Sequence, residues 1–237
     1  MQPHPAYLLH RRAYRETSAL TDIITLEHGR LRAVARGIMR PGSRSRGRLQ
    51  PFTPLHLTWA GEGELKTLKL MESHGPGAML AGEGLLCGLY ANELMIRCLP
   101  LELPVKHVFA VYGALLEALP VPAMRAPALR RFEITLLEAL DAEPVFTTAE
   151  DEAALDPHVQ YVYRGETRRF RPALGHERGI DGRTLKLLAR GDWESPGLAR
   201  VAKQLTRAAL EPLLGERPLR SRELMRELAE RRQRSLP

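Results

Sequence analysis

Seven arginines lie between Glu27 and Glu62, a segment that contains no acidic residue. They are Arg30, Arg32, Arg36, Arg40, Arg44, Arg46 and Arg48. Guanidinium groups that are crowded together without counter-charges repel one another, so fold stability does not explain them. Contacts with a polyanion do, because each neutralised phosphate releases condensed counterions. A surface that only aids solubility usually mixes both signs of charge. The segment therefore predicts a nucleic-acid-binding surface.

The excess positive charge of the chain is concentrated in its first third. Residues 1–80 hold 12 lysines and arginines against 6 acidic residues, whereas the remaining 157 residues hold 23 against 22. Lys66 and Lys69 extend the predicted surface, although they lie on opposite sides of an ideal strand. Aromatic residues make up only 5% of the chain, so base stacking is not expected to be the main source of affinity. We expect backbone phosphates to dominate binding, with little preference for base sequence.

Short strands are predicted to position these cations. In RLRAVAR, residues 30–36, apolar and arginine side chains largely alternate, which places Arg30, Arg32 and Arg36 on one face of a strand. Glycine, proline and serine mark residues 37–47 as a long loop. The other apolar runs are residues 6–11, 19–26, 54–60 and 64–73. Five short strands favour a small closed barrel of the oligonucleotide-binding (OB) type, and an SH3-like barrel is the alternative.

From about Met79 the apolar pattern becomes helical, with segments bounded by prolines. We expect five or six helices and, in residues 141–176, an irregular insertion in which QYVYR and RRFRP pair as a hairpin. The predicted fold class is therefore α+β. An OB-fold nucleic-acid-binding domain spans residues 1–78, and a mostly helical domain spans residues 79–237.

Motifs that would indicate an enzyme are weak. GEGLLCG, residues 82–88, has the wrong spacing for a dinucleotide fingerprint and follows no predicted strand. The acidic run AEDEAALDPH, residues 149–158, lacks the alternating ligands of a calcium loop. We expect no enzyme, no metal and no cofactor. Three alternatives stay open: an RNA-binding module, a metal-dependent nuclease that uses Glu150 to Asp156, and an adaptor whose arginines bind an acidic protein.

Several longer blocks of the sequence resemble the RecO family of bacterial recombination mediators. YLLHRRAYRETSALTDIITLEHGRLRAVARG, LQPFTPL and GELKTL are similar to its N-terminal domain, and GLYANEL, LRRFEITLLEAL and PLRSRELMREL continue the resemblance to near the end of the chain. The resemblance implies a protein that binds single- and double-stranded DNA and anneals complementary strands. With RecR it would load RecA onto single-stranded DNA covered by the single-strand binding protein SSB.

The resemblance also bears on a zinc site. Many family members carry four zinc-binding cysteines in the segment after the LRRFE helix, but this chain has no cysteine between Val145 and Pro172. We therefore expect no zinc there and a hairpin held by packing alone.

The resemblance further implies that the helical domain binds the acidic C-terminal tail of SSB. Such a tail needs an apolar slot with cations at its rim. We expect Phe132 or Leu205 at the slot and cations around it. These cations are Arg130, Arg131, Lys203 and Arg207. No apolar run is long enough for a membrane helix, and we expect a cytoplasmic, nucleoid-associated protein that is a monomer when free.

Overall fold

Five strands close into a barrel in the first part of the chain, as the sequence predicts. The structure is a computed structural model and describes residues 2–43, 47–148 and 152–234. The strands are β1 (His4–Tyr14), β2 (Ser18–Thr25), β3 (Gly29–Ala35), β4 (Pro54–Ala60) and β5 (Leu65–Ser73). Their order around the barrel is β1-β2-β3-β5-β4, and small or aliphatic side chains such as Leu8, Ile23, Ala33 and Leu57 fill the interior.

The barrel closes through a short parallel contact between β3 and β5. Arg32 pairs with Leu65, Ala33 with Lys66 and Val34 with Thr67. Inward-facing alanines on β3 let this strand lie close to its neighbours, and the arginines of the same strand occupy its outer face. The register therefore places the end of β3 next to the beginning of β5, with Arg32 on the outer face of β3 opposite the exposed Leu65.

Residues 99–103 cover the first part of β3 from outside. Leu101 forms an isolated bridge with Arg30, and the amide of Glu102 donates to the Arg30 carbonyl oxygen at 2.9 Å. Gly29 makes this close approach possible, because it has φ of +65° and a Cβ there would lie 1.8 Å from the Leu103 carbonyl oxygen. The outer face of β3 is therefore covered at one end and open at the other.

Six helices lie in the described part of the chain. They are α1 (Gly82–Cys98), α2 (Lys106–Ala118), α3 (Pro122–Glu138), α4 (Gly182–Ala189), α5 (Ala199–Leu214) and α6 (Arg220–Arg234). The proline-bounded apolar pattern predicts a helix over residues 128–140, but this helix begins at Pro122, since proline is well suited to a first helical position.

The chain divides into two compact units. The first is Met1–Pro122 with Pro218–Pro237, and the second is Ala123–Arg217. The first unit thus contains α1, α2 and α6 together with the barrel. Buried hydrogen bonds explain the attachment of α1, because the Asn92 side chain donates to the Leu9 carbonyl oxygen at 2.9 Å and accepts from the Tyr112 hydroxyl at 2.6 Å.

The second unit contains the predicted hairpin in a small sheet. Strands β6 (Gln160–Arg164) and β7 (Arg169–Pro172) are antiparallel, and β8 (Ile180–Asp181) pairs with the other edge of β6. Phe170 is completely buried, and its ring stacks on that of Phe146 with centroids 5.5 Å apart. Hydrophobic packing therefore holds this hairpin against the rest of its unit.

Candidate nucleic-acid interface

A cleft of about 500 Å³ opens where the end of β3 meets the beginning of β5 and the turn between β1 and β2. We call it the cationic cleft. The residues that line it include Tyr14, Arg15, Arg36, Arg40, Leu65 and Lys66, and no described residue that lines it is an aspartate or a glutamate. Three of these residues, Arg15, Arg36 and Arg40, are exposed cations, and no acidic side chain lies among them, which gives the cleft a positive potential.

The chain turn after β3 brings Arg36 and Arg40 together. Gly37 adopts φ of +68°, and the amide of Arg40 donates to the Gly37 carbonyl oxygen at 3.2 Å. The amide of Met39 donates to the Thr17 carbonyl oxygen at 2.9 Å, which ties this turn to the one between β1 and β2. Both guanidinium groups are exposed, and neither has a carboxylate partner within the described ranges. They are therefore available to an anionic ligand.

The prediction that Arg30 lacks a counter-charge is wrong. Its side chain contacts the Asp22 carboxylate at 2.9 Å, donates to the Leu99 carbonyl oxygen at 2.9 Å, and is only 7% exposed. Asp22 lies directly opposite Arg32 in the β2–β3 register and is 3.7 Å from that guanidinium as well. The acid that neutralises this end of β3 thus comes from the preceding strand, outside the acid-free segment. Arg30 contributes to the fold and is not accessible to phosphates.

Lys66 also differs from the expectation. It lies at the inner wall of the cationic cleft, is buried, and forms a 2.8 Å ion pair with Glu102. This partner comes from residues 99–103, so the sequence of β5 alone could not predict it. Lys69 and Arg48 are exposed but do not line the cationic cleft. Arg44 and Arg46 lie outside the described residues.

Arg15 is a cleft residue that the sequence analysis missed. It lies in the turn between β1 and β2 with φ of +54°, an uncommon conformation for a residue other than glycine. Its guanidinium carbon is 5.2 Å from the centroid of the Tyr14 ring, within the range of a cation–π contact. The basic run around this turn was a signal in the sequence, but only the fold shows that the turn borders the end of β3.

In the second unit, the expected SSB-tail residues fall into two groups. Arg130 is buried and donates to Thr206 Oγ1 at 2.6 Å and to Glu133 Oε1 at 2.9 Å, so its predicted place at a slot rim is wrong. Phe132 and Leu205 are also buried and form no open slot. Arg131, Lys203 and Arg207 are exposed, and Arg131 pairs with Glu194 at 2.5 Å.

The same unit has an apolar cleft that the sequence analysis did not predict. Its volume is about 300 Å³, and Phe146, Leu155 and Leu185 form much of its wall. Lys186 and Arg190 also line it, one helical turn apart on and after α4. This arrangement combines an apolar surface with two cations, which are the features that an acidic peptide with an apolar side chain requires.

The acidic run does not form a metal centre in the part that the structure describes. Within residues 2–43, 47–148 and 152–234, no three His, Cys, Asp or Glu side chains are grouped to hold a metal ion. Glu152 pairs with Arg169 at 2.9 Å, and Asp156 accepts a hydrogen bond from the His158 amide. Glu150 and Asp151 lie outside the described residues. No described helix has the length and apolar character needed to cross a membrane.

The five-stranded barrel with the order β1-β2-β3-β5-β4, closed by the parallel contact between β3 and β5, belongs to the class of OB-fold proteins. The family model for the N-terminal part of recombination protein O matches residues 1–76, and the model for its C-terminal part matches residues 79–223. The chain belongs to the RecO family, whose role is in DNA repair and recombination.

Curated relatives agree with this assignment over nearly their full length. The DNA repair protein RecO of Pseudomonas aeruginosa is 43% identical over 220 residues, which cover 92% of each chain. That of Nitrosococcus oceani is 40% identical over 227 residues, covering 94% of this chain and 92% of the relative. That of Salmonella enteritidis is 40% identical over 229 residues, covering 96% and 95%. All three names designate a DNA repair protein and none designates an enzyme.

Proposed function

We propose that this protein binds DNA through the cationic cleft and promotes annealing of complementary strands. The observation that carries the proposal is the meeting of the exposed Arg15, Arg36 and Arg40 at one concavity that no described acidic residue lines. Arginines neutralise the phosphates of the bound strand and release its counterions, which lowers the repulsion that a second strand experiences. Arg32, Arg44, Arg46, Arg48 and Lys69 extend this surface in the proposal, whereas the buried Arg30 does not.

Salt dependence of DNA binding tests this proposal directly. We expect R36Q combined with R40Q to reduce the slope of log affinity against log salt by about 1.4 for single strands, since each phosphate contact contributes about 0.7. R178Q combined with R200Q is the matched control, because both of these arginines are exposed and lie in the second unit. The control should keep the wild-type slope. A wild-type slope near zero, or equal losses in both variants, would contradict the proposal.

Strand annealing and the choice of nucleic acid need separate measurements. The R36Q–R40Q variant should anneal complementary oligonucleotides more slowly than wild type, while R178Q–R200Q should not. Competition between DNA and RNA oligomers of the same sequence separates the proposed function from that of an RNA-binding module. Tighter binding of the RNA oligomer would favour that alternative.

We further propose that the protein acts with RecR to load RecA onto SSB-coated single strands. Membership of the RecO family supports this role. An annealing and loading assay on SSB-coated DNA, with and without RecR, tests it. Stimulation by RecR on coated DNA is expected. If RecR changes neither RecA loading nor annealing, the partnership fails even if DNA binding stands.

The acidic SSB tail has two candidate positions in the second unit. The exposed cations Arg131, Lys203 and Arg207 support one, and the apolar cleft beside Lys186 and Arg190 supports the other. Binding of a tail peptide should fall in K186E–R190E if the apolar cleft receives it, and in K203E–R207E if the α5 cations do. A peptide that binds both variants as it binds wild type would exclude both positions.

A further inference from the structure

The cationic cleft contains an apolar and planar surface that phosphate binding does not require. Leu65 begins β5 and is 45% exposed, although it lies between strands whose other outer residues are mostly polar. Val34 and Tyr14 line the same concavity. An exposed leucine surrounded by cations contributes nothing to phosphate affinity, but it offers the kind of surface on which a nucleobase packs.

At one side of this surface, the guanidinium of Arg15 lies over the ring of Tyr14. The guanidinium carbon of Arg15 is 5.2 Å from the Tyr14 ring centroid, so a charged plane covers part of the aromatic ring. The backbone of Arg15 is held at φ of +54° in a turn of three residues. Residues held in sparsely populated backbone conformations cluster at sites that clamp a ligand. Arginine planes and aromatic rings are both platforms for unpaired bases.

The size of the cleft suits a single nucleotide. Its volume of about 500 Å³ lies within the range of roughly 300–1,000 Å³ that is typical of small-ligand pockets. Bases in a duplex are stacked and paired, so they expose only their edges in the grooves and cannot present a face to a protein pocket. A single strand can turn one base out of its stack at low cost.

We propose that the cationic cleft holds an unpaired base of a single DNA strand, with the base against Leu65 and the Tyr14–Arg15 pair and its phosphates on Arg36 and Arg40. This inference rests on the proposed DNA-binding function and adds to it a contact that only an unpaired base can make. It differs from binding by phosphate contacts alone, because part of the affinity then depends on the base. Leu65 and Tyr14 are specificity-determining residues of this site.

An abasic single strand tests the inference, because it keeps every phosphate and lacks every base. Wild-type protein should bind oligothymidylate about 5- to 150-fold more tightly than an abasic oligomer of equal length, which is the range that stacking of one base provides. L65S should weaken binding of oligothymidylate about three- to tenfold and leave both the abasic affinity and the salt slope unchanged. Y14L should act in the same direction.

The control is L228S, since Leu228 on α6 is 43% exposed and does not line the cleft. It should bind both oligomers as wild type does. Equal wild-type affinity for the two oligomers, with a steep salt dependence, would overturn the base site and leave the proposed DNA binding intact. Failure to bind either oligomer would overturn both. If a cleft variant does not fold, the comparison of the two oligomers with wild-type protein still decides the question.

Discussion

The two ends of strand β3 carry arginines on the same outer face in opposite surroundings. At the first end, Arg30 is 7% exposed, contacts Asp22 and donates to the Leu99 carbonyl oxygen. At the other end, Arg36 is exposed and faces the cationic cleft, with no carboxylate partner in the described ranges. The residue type and the face are the same, although Arg36 directly follows the last residue of β3. What differs is the burial of the side chain, because residues 99–103 pack against the Arg30 end, whereas the Arg36 end is exposed to solvent.

The comparison shows that the groups around an arginine decide whether it stabilises the fold or is available to bind a ligand. A buried guanidinium must be matched, since removing one partner of a buried ion pair costs about 3–5 kcal/mol. An exposed one has no such requirement, and surface pairs contribute only about 0–1 kcal/mol. Helix α3 repeats the contrast within two adjacent residues, because Arg130 is buried against Glu133 and Arg131 is exposed.

The largest expected effect is on α3. R130M should lower the free energy of unfolding by about 3–5 kcal/mol, because Glu133 is completely buried and would lose its positive partner. R131M should cost less than about 1 kcal/mol, since its pair with Glu194 is exposed. Chemical denaturation of both variants provides the measurement. Similar losses for the two would show that burial does not decide the role of these arginines.

The same test on β3 should give a somewhat smaller difference in stability and an opposite difference in binding. R30M should destabilise the protein by about 2–4 kcal/mol, because Asp22 loses its closest cation, yet the folded variant should keep the wild-type salt slope and lose no more than about twofold in DNA affinity. R36M should leave stability within about 0.5 kcal/mol of wild type and reduce the salt slope by about 0.7. Denaturation and DNA titration on each variant check this. A loss of binding in folded R30M would contradict it.

Removing Asp22 should make the two ends of β3 more alike. D22N leaves Arg30 and Arg32 without the carboxylate that both approach, so stability should fall by about 1–3 kcal/mol. DNA affinity should rise about twofold at low salt, because a negative charge near the bound phosphates disappears. D192N is a control with the same charge change in the second unit. Unchanged affinity in D22N at low salt would show that Arg32 lies outside the working surface.

The smallest effect concerns a half-buried ion pair between Arg171 and Glu177 in the second unit. Two hydrogen bonds of 2.6 Å from Arg171, helped by the Leu174 amide, lower the pKa of Glu177 to about 2 from 4.5. Because the folded-state pKa is depressed, the stabilisation is present above pH 4.5 and is lost as the pH falls from 4.5 towards 2. E177Q should therefore melt below wild type at neutral pH, and the gap should narrow on acidification. A gap that is independent of pH would contradict the assignment.

Much of the fold follows from the order of residues along the chain. Alternation in residues 30–36 predicts β3 with its arginines on one face, and the apolar runs around it predict the barrel. The predicted hairpin of β6 and β7 is confirmed. It could be predicted because strand alternation and turn residues are local features of the sequence. The prediction for Arg30 is wrong because Asp22 reaches it through strand pairing across eight positions, and the prediction for Arg130 is wrong because Thr206 reaches it across seventy-six.

The sequence by itself determined the barrel, the helices that follow it, and the concentration of positive charge in the first third of the chain. These depend on periodicity and composition, which are local quantities. The tertiary structure decided which cations are neutralised, because partners such as Asp22 and Glu102 approach through register and through a covering segment. It also decided that Arg15 and Leu65 share a cleft with Arg36 and Arg40. Electrostatic matching depends on distance in space, and distance in space is set only when the barrel closes.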